Sequence, residues 1–135
     1  VVTRMARDLD IDIDVIGCPT IREEDGLAMS SRNLLLSDRA RIHAPKLAEV
    51  MQDTAQALRD GGAMRTLLPE AEKRLAAAGF TEVEYLDLRD AASLIQHDTL
   101  TGECRLFAAA WLAGEQPEPC GCFPALPDAL PCLPC

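Results

Sequence analysis

The spacing of apolar positions changes along the chain, and each change marks an element. Val2, Met5, Ala6 and Leu9 recur at helical spacing, so residues 1–9 read as the end of a helix. Residues 10–16, Asp-Ile-Asp-Ile-Asp-Val-Ile, then alternate, which puts Ile11, Ile13 and Val15 on one face of a strand. A helix leading directly into such a strand is half of an αβ unit. It implies neighbouring parallel strands, which this chain does not contain. Gly17 and Pro19 end the strand. Ser37 suits the N-cap of a helix from about Asp38, and Pro45 kinks or restarts that helix. Leu47, Met51, Ala55 and Leu58 continue as an apolar stripe, with Val50 beside it, until Gly61 and Gly62 stop it.

A second helix is predicted from about Thr66 to Ala78, with Pro69 in its first turn, Leu68, Ala71, Leu75 and Ala78 as its stripe, and Gly79 as its cap. Glu82–Leu88 reads as a strand, and residues 90–103 as a loop with a Thr101-Gly102 turn. Arg105–Ala113 is almost wholly apolar. It reads as a buried strand, antiparallel to 82–88 and packed on the two helices, although its alanines also allow a helix. Residues 114–135 hold six of the nine prolines and four of the six cysteines, and they show no apolar period. Proline at that density excludes a helix or a central strand, so the tail reads as irregular.

Bulk properties narrow the partners. A chain of 135 residues defaults to one domain with a modest core. Aromatic residues make up 4%, so that core must be built from Leu, Ala, Ile and Val. A net charge of −9 argues against a nucleic-acid partner. It leaves room for a small anion held by a local positive cluster. No apolar run is long enough to span a membrane, and the first residues lack the apolar core of a secretory signal. The chain opens on Val1 inside an apparent element, which reads as a fragment.

One connecting segment, residues 18–33, concentrates chemistry that suits a phosphate. Gly26 permits unusual dihedrals or close approach. Ser30 and Ser31 offer hydroxyls, and Arg32 offers a permanent charge on a planar fork of donors. The segment follows a strand, where open α/β sheets bind ligands. The plain alternative is an ordinary polar loop capped by Asn33. Other candidates are weaker. Asp10, Asp12 and Asp14 read as a solvated strand face rather than a metal site. His43 has no nucleophile or carboxylate beside it by spacing. Cys18 and Cys104 read as small buried residues. Cys120, Cys122, Cys132 and Cys135 could offer four thiolates to zinc, but C-x-C departs from the usual paired spacing.

The text Val15–Asn33, with its core Asp-Gly-Leu-Ala-Met-Ser-Ser-Arg-Asn, resembles the pantothenate synthetase (pantoate–beta-alanine ligase) family. The likeness runs back through the Arg4–Leu9 helix and forward through Leu36–Arg41, Tyr85–Asp90 and Leu106–Leu112, covering about residues 1–113. It implies an α/β fold: the end of a Rossmann-like nucleotidylyltransferase domain in 1–36, a small α+β C-terminal lid domain in 37–113, and a Pro/Cys-rich tail in 114–135. It also implies an AMP-forming ligase. Pantoate and ATP, with Mg, give pantoyl-adenylate and pyrophosphate, and beta-alanine then gives pantothenate and AMP. On this likeness Met29, Ser30, Ser31 and Arg32 contact ATP, and Ile21 lends backbone contacts to the adenine. The full-length enzyme is expected to be a cytoplasmic homodimer on the route to coenzyme A.

Two departures qualify the likeness. The family's H-x-G-H and G-E-K-D motifs have no match here, so this chain is expected not to form pantothenate alone. From Gly114 onward the text diverges from the family's closing segment. The second reading is a non-catalytic binding module whose Cys-rich tail recruits a metal or partner.

Overall fold

The computed structural model describes residues 2–112, together with the backbone of 120–123. Four α-helices, one 3-10 turn and four strands follow in order. They are α1 (Val2–Asp8), the 3-10 turn (Ser31–Leu35), α2 (Asp38–His43), α3 (Pro45–Arg59), α4 (Met64–Ala77), β1 (Phe80–Asp90), β2 (Gln96–His97), β3 (Cys104–Leu112) and β4 (Cys120–Phe123). The strands form one antiparallel sheet in the order β2-β1-β3-β4. The chain is thus the expected mixture of helix and sheet.

The long β1–β3 ladder is the centre of that sheet. Leu86 faces Ala108 and Leu88 faces Leu106 across it. Both strands alternate. Leu86, Leu88, Leu106, Ala108 and Ala110 are buried, whereas Arg105 is exposed and Asp87, Arg89 and Phe107 are half-buried. Helices α3 and α4 supply Val50, Ala55, Leu58 and Leu75 to the same core, all almost fully buried. The predicted stripe of α3 is therefore its buried face. The alanine-rich run at 105–113 is a strand, not a helix, and the strand predicted at 82–88 extends to 80–90.

Local signals set most helix ends. The Ser37 hydroxyl accepts from the Ala40 amide at 3.2 Å, capping α2. Pro45 restarts the helix as the first residue of α3. At the far end of α3, Gly62 N–H donates to Ala57 O and Gly61 N–H to Leu58 O, a Schellman closure. That closure places Gly61 at φ 92, where a side chain would be strained.

Five expectations change. The strand predicted at 10–16 carries no sheet pairing, and Ile11, Ile13, Val15 and Ile16 are exposed. Its alternation is real, but no described strand lies beside it to complete a ladder. The α1 stripe fares similarly: Ala6 is buried while Val2, Met5 and Leu9 are exposed. Cys18, expected to be buried, is exposed, whereas Cys104 is buried. Finally, part of the tail is regular. Cys120–Phe123 pairs with β3 as an edge strand, which covers an otherwise open edge and fits between Pro119 and Pro124. The four-cysteine metal reading otherwise lies outside the described residues.

Helix α4 also begins earlier than predicted, at Met64, so Pro69 falls in its second turn. Its own N-cap position, Ala63, has no capping side chain. Asp98 caps it from the loop after β2 instead. Met64 N–H donates to Asp98 O at 2.7 Å, and Arg65 N–H donates to Asp98 Oδ1 at 2.9 Å. The Arg65–Asp98 ion pair beside them is exposed and adds little. Asp98→Ala is expected to cost about 1–2 kcal/mol, the scale of a lost cap. Urea unfolding should show a lower midpoint with an unchanged slope, and an unchanged midpoint would contradict the capping role.

Candidate functional site

Residues 21–29 fold as a short hairpin. Arg22 bridges Ala28 in antiparallel fashion, Met29 N–H donates to Ile21 O at 3.0 Å, and Glu23 N–H donates to Leu27 O at 2.7 Å. Glu24, Asp25 and Gly26 make a three-residue loop. Gly26 N–H closes the turn on Glu23 O at 2.9 Å, and Gly26 sits at φ 88, the left-handed position that such loops assign to glycine. Asp25 Oδ1 accepts from the Leu27 amide at 3.1 Å, and Arg22 Nη1 donates to Gly26 O at 2.9 Å.

The hairpin is docked by one apolar anchor. Leu27, 4% exposed, joins the core cluster, and Ala28 is buried beside it. Beneath them lies a cavity of about 20 Å³ lined by Arg22, Leu27, Ala44, Leu47 and Met51. That is room for a single water, not a nucleotide.

Arg41 of α2 adds an ionic clasp. Its Nη2 donates to Glu23 Oε2 at 2.6 Å, and its Nη1 donates to Asp25 Oδ2. The Arg41 guanidinium, helped by the Leu27 amide, holds the Asp25 carboxyl below the usual carboxylate value. Asp25 and Glu23 in turn raise Arg41. Asn33 locks the other side: its Nδ2 donates to Glu23 Oε1 at 2.7 Å and to Ala28 O at 2.9 Å.

The five residues singled out for ATP come together at the open end of this hairpin. Ile21 and Met29 face each other across it and are 72% and 63% exposed. Ser30 follows as the cap of the 3-10 turn, its hydroxyl accepting from the Arg32 amide at 3.2 Å. Ser31 and Arg32 are exposed, and within the described residues the Ser31 hydroxyl and the Arg32 guanidinium have no hydrogen-bond or ion-pair partner. The arrangement leaves a hydroxyl and a cation available on a fixed support. Sequence reasoning missed that support. Asp25-Gly26 is a legible turn signal, but Arg41 lies 16 residues from Asp25, and nothing local links them.

Comparisons of fold and of sequence point one way. The structure is similar to the α/β fold of pantothenate synthetase from Thermus thermophilus, with TM-score 0.75 and 35% identity, covering 83% of this chain and 41% of that one. A pantoate-beta-alanine ligase from Francisella tularensis, complexed with beta-gamma ATP and beta-alanine, shares the fold at TM-score 0.54 and 22% identity over 83% of this chain and 34% of that one. The family model described as pantoate-beta-alanine ligase matches residues 1–116, so the chain belongs to that family. It is 63% identical over 114 residues to the pantothenate synthetase of Roseobacter denitrificans and 52% identical over 113 residues to that of Ruegeria pomeroyi, matching 84% of this chain each time. The chain spans about 40% of the length of these relatives.

The clasp has a pH signature. Asp25 is depressed in the folded chain, so its contribution is complete above its unfolded value of about 4 and is lost as pH falls through the lower folded value. In an NMR titration the Leu27 amide, bonded to Asp25, is expected to shift with a midpoint below about 4, and Arg41→Ala is expected to raise that midpoint. A midpoint that ignores the Arg41 substitution would contradict the clasp.

Proposed function

We propose that the chain is the C-terminal part of an ATP-dependent ligase that joins pantoate to beta-alanine. Family membership through residue 116 carries this reading, and the unpartnered Ser31 and Arg32 supply its chemistry. In the first step a pantoate carboxylate oxygen bonds to the α-phosphorus of ATP, and the bond to the departing pyrophosphate breaks. In the second, the beta-alanine amine attacks the acyl carbon, loses a proton and expels AMP. Both reactants are substrates, so no side chain need act as nucleophile, and positioning does much of the work. Arg32, Ser30 and Ser31 face the phosphates, where fixed donors stabilise charge moving onto pyrophosphate. Ile21 offers its backbone to the adenine, with Met29 beside it.

The reading brings further assignments. The hairpin packs into the core of α3 and the sheet, so we place the division between nucleotide-binding domain and lid before the hairpin, near residue 20, rather than at 36. Magnesium does not fit a protein ligand set here. Among the described residues no three His, Cys, Asp or Glu side chains come together, and Glu23 and Asp25 already serve Arg41. It is assigned to the ATP phosphates instead. The complete enzyme is taken as a cytoplasmic homodimer. Among the described residues no helix is long and apolar enough to cross a membrane. A non-catalytic module gains nothing from the relatives named above, which are all named as synthetases or ligases.

An assay for AMP release with ATP, pantoate and beta-alanine tests the proposal. The chain alone should show no turnover. Joined behind the portion of the Roseobacter denitrificans relative that it does not cover, it should release AMP, and Arg32→Ala should lower kcat on the order of 10²-fold. A well-folded fusion without turnover, or full activity in Arg32→Ala, would refute it.

A further inference from the structure

Glu23, Asn33 and Arg41 have no part in the chemistry above, yet they form one continuous set of contacts. Arg41 reaches from α2 to Glu23 Oε2 and Asp25 Oδ2. The second Glu23 oxygen takes the Asn33 amide, which also donates to Ala28 O. Asn33 directly follows Arg32. The contacts therefore run from α2, through both arms of the hairpin, to the residue beside the unpartnered arginine.

We propose that Arg41 is a positioning residue for Arg32 and Ser31, acting through Glu23 and Asn33 to set the angle at which the 3-10 turn leaves the hairpin. This inference rests on the ligase reading for what Arg32 and Ser31 face. Leu27 already docks the hairpin by apolar burial, which is non-directional. A directional element is needed to fix rotation about that anchor, and a planar guanidinium bridging two carboxylates provides one. Lysine, a point charge, could hold one carboxylate well but not orient both. The Arg41 side chain is about a third exposed, and exposed ion pairs add little to global stability. The clasp therefore bears on local geometry more than on folding.

The experiment uses the fusion described above with Arg41→Ala, Arg41→Lys, Asn33→Ala, and the double variant Arg41→Ala with Asn33→Ala. Arg41→Ala is expected to lower kcat about tenfold or more, the parameter that Arg32→Ala also lowers, while the KM for beta-alanine stays unchanged. Arg41→Lys should recover part of the loss, and the double variant should lose no more than the larger of its two single substitutions, since both act on one route. Hydrogen exchange at the Leu75 and Leu88 amides should stay at the wild-type rate. An unchanged kcat would overturn the proposal. So would a rise in the KM for beta-alanine together with a loss of core protection, which marks a general structural role. If the unsubstituted fusion releases no AMP, the ligase reading fails by itself, and the clasp is then judged in the 135-residue chain. There, faster exchange at Met29 and Asn33 in Arg41→Ala, partly reversed in Arg41→Lys, supports it, and unchanged exchange overturns it.

Discussion

The burial of Leu27 ties the hairpin to the core of this chain. One leucine of the hairpin at 21–29 enters the core made by α3, α4 and the β1–β3 ladder. Everything on the hairpin is then carried by the sheet-and-helix unit, including the Ser-Ser-Arg sequence at its open end. Arg41 adds direction to that attachment. Without the leucine the clasp would hold a loop that water could lift away. Without the clasp the leucine would be a pivot.

The support under that anchor is ordinary in composition. Alternating leucines and alanines on β1 and β3 make one apolar sheet face, and two helices cover it. The small residues at 108–110 are all buried in that ladder. Asp98 ties the start of α4 to the loop beyond β2, so a helix with no cap of its own is anchored by the sheet it packs on. The residues before the hairpin contrast with this. Their apolar side chains keep a strand's alternation but have no described partner, which is the pattern expected of a sheet element separated from its neighbours.

Legibility in the sequence followed the range of each interaction. The α3 stripe, the Ser37 cap, the Pro45 restart and the two long strands were readable because their signals lie within a few residues. The start of α4 was misplaced because its cap lies 33 residues away. The strand at 10–16 was readable as a pattern but not as a structure, since a strand needs a neighbour and the pattern cannot supply one. The same limit applied to the site. Ile21, Met29, Ser30, Ser31 and Arg32 are proposed from one contiguous stretch and its family resemblance, whereas the Arg41 clasp emerged only once α2 was folded against the hairpin.

The account depends on the hairpin being held with α3 and the sheet rather than with the segment before it. Hydrogen exchange across the wild-type chain measures this directly. The amides of Glu23, Leu27 and Met29, all bonded within or through the hairpin, should be protected together with those of α3, while residues 11–20 exchange rapidly. Hairpin amides that exchange as fast as residues 11–20, while α3 stays protected, would show that the leucine anchor and the arginine clasp do not hold in solution.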